Sequence, residues 1–270
     1  MNISPAPLYS RPINNLESTI HQAITRGSAA AGGTVRVFFR ADDIGVPSKR
    51  CSAMMELFQQ YSVPLGLAVV PTWITAQRWQ SLCAEIDTTK AQLLCWHQHG
   101  WAHKNHETQG KKQEFGDSRP AENIAHDLLR GRDRLRQLLG SAFVPLFTPP
   151  WNRCGTTAME LLAASGYTAL SRSSGARPSP PSGLADMQIN VDLHTRKESD
   201  PQVSALQLFG ELELAMASGY AGIMLHHQRM NRHALNLLEC LLGILTHTFE
   251  VRLMKMVDMV NYCHEDIQNW

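Results

Sequence analysis

The stretch VRVFFRADDIG, residues 35–45, carries the first signal of the fold. The short apolar run VRVFF is followed directly by two aspartates, Asp42 and Asp43, and then by a glycine. A run of this length that ends in acidic residues and glycine predicts a buried β-strand with a polar carboxyl end. An aspartate pair at such a place either caps a turn or has two functions, with one carboxylate binding a cation and the other acting as a base.

Similar runs recur along the chain, and amphipathic stretches with helical spacing separate them. The later runs are PLGLAVVP (64–71), AQLLCWHQHG (91–100), VPLFTPPWN (144–152), YTALSRS (167–173), MQINVDLHT (187–195), AGIMLHHQ (221–228) and FEVRLMKM (249–256). Seven or eight strands that alternate with helices predict an α/β fold with a largely parallel sheet, and this number favours a barrel. We expect one domain at 34–270, preceded by an extension at 1–33 that carries a helix at about 13–25.

Composition restricts the partners of the chain. Lys and Arg number 25 against 24 Asp and Glu, and no basic block is interleaved with aromatic residues, so nucleic acid is an unexpected partner. No run approaches the roughly 20 apolar residues of a membrane span, and the first residues lack the pattern of a signal peptide. We therefore expect a cytoplasmic protein with no membrane partner, whereas the oligomeric state is open.

Reactive side chains follow five of the predicted strands. They are Asp42 and Asp43; the histidines of residues 97–106; Trp151, Asn152 and Arg153; Asp192 and His194; and His226 and His227. In a barrel of parallel strands, the carboxyl ends meet at one face, which is where such barrels build active sites. The sequence therefore predicts one cleft that gathers these side chains.

Four histidines lie in the stretch WHQHGWAHKNH, residues 96–106. Three pairings could hold a metal, namely His97 with His99, His99 with His103, and His103 with His106. A catalytic zinc takes about three protein ligands and leaves a position for water, so two imidazoles and a carboxylate from Asp42 or Asp43 suffice.

The remaining side chains suggest roles in acid catalysis and substrate contact. His226, or its neighbour His227, is a suitable proton donor for a leaving group. Asp192 either orients an imidazole or belongs to a turn. The Pro-Pro turn before Trp151 is stiff, so Trp151 offers a fixed N–H for an oxyanion and an indole face for a sugar, unless it packs in the core.

The order of these motifs resembles the polysaccharide deacetylase superfamily, with NodB homology and the family 4 carbohydrate esterases, over about residues 36–256. The motifs are DD after the first strand, HGWAH (99–103), the turn TPPWN (148–152) and LH (225–226) near the end. The resemblance implies a distorted (β/α)7 barrel with a divalent metal, usually zinc, in a cleft at the strand carboxyl ends.

Carried over by position, the resemblance implies a role for each residue. Asp42 is the base; Asp43, His99 and His103 are the metal ligands; Trp151 places its N–H at the oxyanion; Leu225 lines the acetyl pocket; His226 is the general acid; and Asp192 tunes it. His97 and His106 are then left outside the ligand set. Thr148 occupies the position of an arginine that pairs with the base, so Arg40 or Arg153 would have to replace it, with Arg153 also a candidate for substrate binding. Gly100 stands where Ser or Thr is common.

The expected function is a metal-dependent deacetylase that acts on an amide, such as an N-acetylated sugar, with a small molecule or oligosaccharide as partner. Three alternatives stay open. They are an amidohydrolase-type enzyme that uses His97 and His99, a metal-independent C–N hydrolase of small ring compounds, and a non-catalytic barrel that binds a metal or ligand.

Overall fold

Strands and helices alternate along the protein, and the computed structural model describes residues 4–267. The strands are β1 (Val35–Ile44), β2 (Leu65–Val69), β3 (Leu94–His99), β4 (Phe143–Thr148), β5 (Ala169–Leu170), β6 (Ala185–Asp186), β7 (Val191–Asp192), β8 (Tyr220–Leu225) and β9 (Val251–Leu253). The helices are α1 (Leu16–Ala31), α2 (Lys49–Gln60), α3 (Ala76–Cys83), α4 (Ala121–Leu139), α5 (Thr156–Ala164), α6 (Pro201–Ala217), α7 (Arg232–His247) and α8 (Met256–Ile267). The paired strands are parallel, which confirms the predicted α/β class.

The sheet closes on itself through one extended segment. Its strand order is β6-β5-β4-β3-β2-β1-β8-β7, while β9 pairs with the start of β1. The two end strands, β6 and β7, are successive parts of residues 185–192. Within this segment Ile189 N donates to Arg172 O after β5, and the next residue, Asn190, donates its N–H to Gly222 O of β8. Counting β6 and β7 as one strand and leaving out β9, seven strands surround the axis, so the predicted distorted (β/α)7 barrel is confirmed.

Alternation along β1 separates an outer core from the barrel interior. Val37 and Phe39 belong to the large apolar cluster between the sheet and the helices, whereas Phe38 belongs to the interior cluster. Because successive side chains of a strand point to opposite faces, Arg40 and Asp42 share the interior face with Phe38. The interior is therefore apolar near the amino ends of the strands and polar near their carboxyl ends.

Helix α8 closes the amino end of the barrel. Met256 and Met259 are buried in the interior cluster together with Phe38. Gly66 on β2 leaves the space that Met256 needs, because a Cβ at Gly66 would lie 2.0 Å from the Met256 sulfur. With this end filled, the polar carboxyl ends of the strands are the accessible part of the interior.

The N-terminal segment belongs to the helical layer around the barrel. Helix α1 is longer than the predicted 13–25 and packs against α6, with Ile20 and Ile24 buried in the main core. Gly27 allows the close contact, since a Cβ there would lie 2.5 Å from Met216 Cβ of α6. The first three residues of the predicted extension lie outside the described residues. Within residues 4–267, no helix is long and apolar enough to cross a membrane.

Candidate active site

The two aspartates at the end of β1 both face the cleft because the strand is bulged there. Ala41 pairs with Leu67 and Ile44 with Val69, so three steps along β1 match two steps along β2. Asp43 adopts the left-handed conformation, with φ of 63°, which aspartate tolerates better than most residues. The extra residue turns Asp43 toward the same side as Asp42, whereas a regular strand would point them apart.

The structure brings the three predicted metal ligands together. The Oδ1 atom of Asp43 lies 3.4 Å from His99 Nε2 and 3.2 Å from His103 Nε2. These ligand atoms all lie within 4.8 Å of one another. His99 ends β3, and His103 reaches the group from the following loop, where its own φ is +55°.

The atoms of this group fit a divalent metal. His99 Nδ1 lies 2.9 Å from the carbonyl oxygen of Thr148, and since a carbonyl only accepts, Nδ1 carries the proton. Burial acts to lower the pKa of His99, but the neighbouring Asp43 carboxylate raises it, so Nε2 favours a bound cation, either a proton or a metal. Within residues 4–267, Asp43 Oδ1 is a buried oxygen with no hydrogen-bond partner, and a metal between the two atoms would take the place of the proton. Two imidazole nitrogens and one carboxylate suit a transition metal with positions left for water and substrate.

His97 has no ring nitrogen left for a metal. Its Nδ1 lies 3.2 Å from the carbonyl oxygen of Cys95, and its Nε2 lies 2.9 Å from the hydroxyl of Thr148. Burial lowers the pKa of His97 to about 3, so the ring is neutral. His106 also lies outside the ligand group. Of the three pairings that the sequence left open, the geometry therefore favours His99 with His103.

Arg40 holds Asp42 from within the same strand. Its Nε and Nη2 donate to the two carboxylate oxygens of Asp42 at 2.8 and 2.9 Å. The guanidinium is fully buried and is held in turn by the carbonyl and hydroxyl of Ser171 and by the side-chain oxygen of Asn152. Two parallel bonds of this kind fix the orientation of the carboxylate as well as its charge.

This pairing keeps Asp42 ionised. Burial acts to raise the pKa of Asp42, but the charge of Arg40, with smaller contributions from His99 and His226, brings it below its usual value. Arg40 thus pairs with Asp42 as the resemblance implies for an arginine at the position of Thr148. The other arginine considered from the sequence, Arg153, donates to the carbonyl of Lys112 at 3.3 Å, and its contact with substrate stays a prediction.

Trp151 presents its backbone N–H at the rim of the cleft. Trp151 and Asn152 both adopt the left-handed conformation after the Pro-Pro turn, with φ of 57° and 59°. The indole packs edge-on against the ring of His103, with 4.5 Å between centroids. Trp151 therefore borders the candidate metal ligands instead of the core. Within residues 4–267, the N–H of Trp151 donates no hydrogen bond and is therefore available to an oxyanion.

His226 continues the interior face of β8, and Leu225 does not. Arg40 pairs in register with Met224, and Ala41 pairs with Leu225. Met224 lies inside the barrel, with its sulfur 3.1 Å from Arg40 Nη2, whereas Leu225 is buried in the outer core. His226, two residues after Met224, is on the interior face beside Asp42. Met224, and not Leu225, which was predicted to line an acetyl pocket, is thus the residue of this pair that faces the interior.

Comparisons with known proteins agree with this architecture. No model of a protein family matches the sequence, and no curated protein sequence matches it significantly. Among solved structures, a Mycobacterium smegmatis protein assigned as a polysaccharide deacetylase superposes with a TM-score of 0.66 and 12% identity, over 87% of this chain and 92% of that one. The chain has the fold of the polysaccharide deacetylases.

Two further structures share this polysaccharide deacetylase fold. A Pseudomonas aeruginosa PAO1 protein assigned to the same group has a TM-score of 0.63 and 11% identity, over 87% of this chain and 92% of that one. A family 4 acetyl xylan esterase from Clostridium thermocellum, in complex with a cobalt ion, has a TM-score of 0.52 and 9% identity, over 84% of this chain and 91% of that one.

Asp192 lies at the predicted strand end of the polysaccharide deacetylase fold, but its side chain closes a turn. One oxygen accepts the N–H groups of His194 and Thr195 at 3.0 and 2.9 Å, and the other accepts the Thr195 hydroxyl. Among the residues that the structure describes, none forms a hydrogen bond with the buried ring atom Nδ1 of His226. The structure therefore does not join Asp192 to His226, and the turn role is the one that the hydrogen bonds favour.

The two adjacent histidines after β8 differ in their surroundings. His227 begins a 3-10 turn and is almost fully buried, and burial lowers its pKa to about 4. A group that is neutral at pH 7 is a poor proton donor. His226 is half-buried at the cleft and is therefore the better candidate for the general acid.

Four residues of the site received no individual role from the sequence. They are Asn152 and Ser171, which hold Arg40; Met224, which borders the guanidinium; and Glu114, which binds the backbone of the histidine loop. For Met224 the period of two along β8 was an available signal, since it places Met224 and His226 on one face. The other contacts join residues far apart in the chain, which periodicity does not reveal.

Proposed function

We propose that the protein is a metal-dependent hydrolase that removes an acyl group, most simply acetyl, from an amide nitrogen, with an N-acetylated sugar as the class of substrate. The observation that carries this proposal is that an ionised carboxylate, the proposed base, lies next to three candidate metal ligands. Asp42, held by Arg40, directly precedes Asp43, the carboxylate that faces His99 and His103. The deacetylases and the esterase that share this fold support the same class of reaction.

Asp43, His99 and His103 would hold the cation, which we propose to be zinc. A bound divalent cation would supply a Lewis acid for the acyl oxygen and would lower the pKa of water. The chain would contribute the orientation of His99, through its bond to Thr148, and the aromatic wall that Trp151 forms beside His103.

The two proton transfers are assigned to residues at the carboxyl ends of the neighbouring strands β1 and β8. Asp42 would accept the proton of the attacking water, since Arg40 keeps the carboxylate charged and oriented. The N–H of Trp151 would donate to the oxyanion that develops on the acyl group, and His226 would donate a proton to the leaving nitrogen. Met224 would border the acyl group from the interior of the barrel.

The test is release of acetate from a panel of N-acetylated sugars and oligosaccharides by zinc-loaded protein. We expect Asp42→Asn to lose roughly 10²- to 10⁴-fold in kcat while it keeps the metal, because only the base is removed. The matched control is Asp133→Asn, an aspartate on α4 whose side chain is 67% exposed and which should keep full activity. If the wild-type protein binds metal but releases no acid from any amide or ester of a broad panel, the proposed function is wrong. We also propose a cytoplasmic location, which cell fractionation tests.

A further inference from the structure

Glu114 is a buried carboxylate beneath the loop that joins the two histidines of the metal group. Its oxygens accept hydrogen bonds from three backbone N–H groups, those of Trp101 (3.1 Å), Ala102 (2.7 Å) and Lys104 (3.4 Å). The residue is fully buried, and all three donors lie within a few residues of His99 and His103. Successive N–H groups that converge in this way form a concave anion site, which the carboxylate fills.

Gly100 and Glu114 depend on each other sterically. Gly100 has a φ of +59°, and a Cβ there would lie 2.1 Å from Oε2 of Glu114 and 2.6 Å from Cγ of Pro150. A side chain at position 100 and the carboxylate therefore compete for the same space. Where the family resemblance leads one to expect Ser or Thr, this chain combines a glycine with a buried acid from 14 positions later.

The residues after Glu114 hold the segment that follows the Trp151 turn and begins α5. The carbonyl of Phe115 accepts the N–H of Gly155 at 2.8 Å, and Phe115 forms a parallel bridge with Cys154. Two residues later, the Asp117 carboxylate accepts the first two N–H groups of α5, both at 3.1 Å. Residues 114–117 therefore bind the histidine loop at one end and the start of α5 at the other.

We propose that Glu114 is a positioning residue for the metal group, which sets the separation of His99 and His103 by holding the backbone of the loop between them. The inference rests on the proposed function only in taking this group as a metal site. Within residues 4–267, the hydrogen bonds of the Glu114 carboxylate all come from backbone N–H groups, so it acts through the backbone. His103 is held at a positive φ that few residues adopt, and such a conformation persists only where surrounding contacts impose it.

The experiment compares the zinc affinity of wild type, Glu114→Gln and Glu114→Asp, measured by competition with a chelator, and the visible spectrum of the Co²⁺ forms. We expect Glu114→Gln to weaken zinc binding by about 10- to 100-fold and to shift the Co²⁺ spectrum, with an intermediate loss in Glu114→Asp. The matched control is Glu107→Gln, a carboxylate of the same loop whose one hydrogen bond within residues 4–267 comes from the Ser118 hydroxyl at 2.8 Å. This control should bind zinc as wild type does.

The outcomes separate the two proposals. If wild type binds no metal, the proposed function fails. If wild type binds zinc and Glu114→Gln binds it with unchanged affinity and an unchanged Co²⁺ spectrum, the positioning role is overturned while the proposed function stands.

A measurement on the wild-type protein keeps the proposal testable even if the variants do not fold. Amide hydrogen exchange of metal-free protein should show Trp101, Ala102 and Lys104 protected, because Glu114 holds them without the ion. Exchange of these amides as fast as that of exposed Thr108 and Gln109 would overturn the proposal.

Discussion

Two residues of the same strand, Arg40 and Asp42, form a doubly hydrogen-bonded ion pair inside the barrel, with N···O distances of 2.8 and 2.9 Å. Residues two apart on a strand share a face, so neighbouring side chains of β1 supply both the proposed base and its partner. The carboxylate and the guanidinium therefore keep their relation when the loops around the cleft move. Thr148 occupies the position at which the family resemblance implies an arginine. Its hydroxyl contacts His97 instead, and its carbonyl oxygen contacts His99.

Replacement of Arg40 by Met removes the positive charge beside Asp42 and should show what this charge contributes to the pKa of Asp42. The pKa of Asp42 is lowered in the native protein, so Asp42 adds stability above its unfolded pKa of about 3.9 that is lost as the pH falls through the native value. In Arg40→Met that pKa rises, and the acid limb of kcat/KM should move to higher pH.

The same variant leaves a buried charge without its partner, which typically costs about 3–5 kcal/mol of unfolding free energy. Urea unfolding at pH 7 measures this cost. Arg40→Lys restores the charge but not the paired geometry, and it should recover part of the stability. An acid limb that stays in place in Arg40→Met would contradict the assignment of Asp42 as the base.

Metal binding should distinguish the histidines. We expect His103→Ala to lose zinc affinity by at least 100-fold, since it removes one of three ligands, whereas His97→Ala should retain the metal. Equilibrium dialysis with metal analysis measures both, with circular dichroism as the check of folding. Saturating zinc at 100 times Kd should stabilise wild type by about 2.7 kcal/mol and leave His103→Ala nearly unchanged. Loss of metal only in His97→Ala would favour the amidohydrolase-type alternative.

Neighbouring substitutions on β8 should have different effects. Leu225→Ala removes a buried side chain of the outer core and should cost about 2–5 kcal/mol of stability, with the relative rates on different acyl groups unchanged. Met224→Ala enlarges the interior next to Arg40 and should raise kcat/KM for propionyl relative to acetyl substrates. The ratio of the two rates is the measurement, and a changed ratio in Leu225→Ala alone would contradict the assignment of faces.

The role of His226 as general acid should depend on the leaving group. His226→Ala should lose roughly 10²- to 10⁴-fold on acetamides, because an amine must be protonated before it leaves. The loss should be much smaller on aryl acetates, whose phenolate leaves without a proton. His227→Ala serves as the matched variant, and its effect on both substrates should be equal. A larger loss on the acetamide in His227→Ala than in His226→Ala would exchange their roles.

Parts of the site that lie within one short stretch were predictable. The aspartates after β1 and the cluster of histidines after β3 follow from the order of strands and from ligand chemistry, both of which are local, whereas the choice of His99 with His103 was implied by the family resemblance. The structure places these residues together. The barrel was also predictable, since the alternation of runs determines the sequence of elements.

Contacts between distant residues were not predictable in this way. Glu114 reaches the histidine loop only through the folding of a long polar segment, and Asn152 and Ser171 reach Arg40 from distant parts of the chain. Asp192 was ambiguous because a carboxylate at a strand end can bind either a neighbouring side chain or the N–H groups of its own turn. Its hydrogen bonds show the second arrangement.

Positive φ values at the cleft have a consequence for the evolution of the protein. Asp43, His103, Trp151 and Asn152 each hold a backbone conformation that costs less in glycine. A selection for a relaxed backbone alone would therefore favour glycine at these four positions. Each such change would remove a carboxylate, an imidazole, an indole or an amide from the cleft, so a relaxed backbone and the chemistry of the cleft oppose each other there.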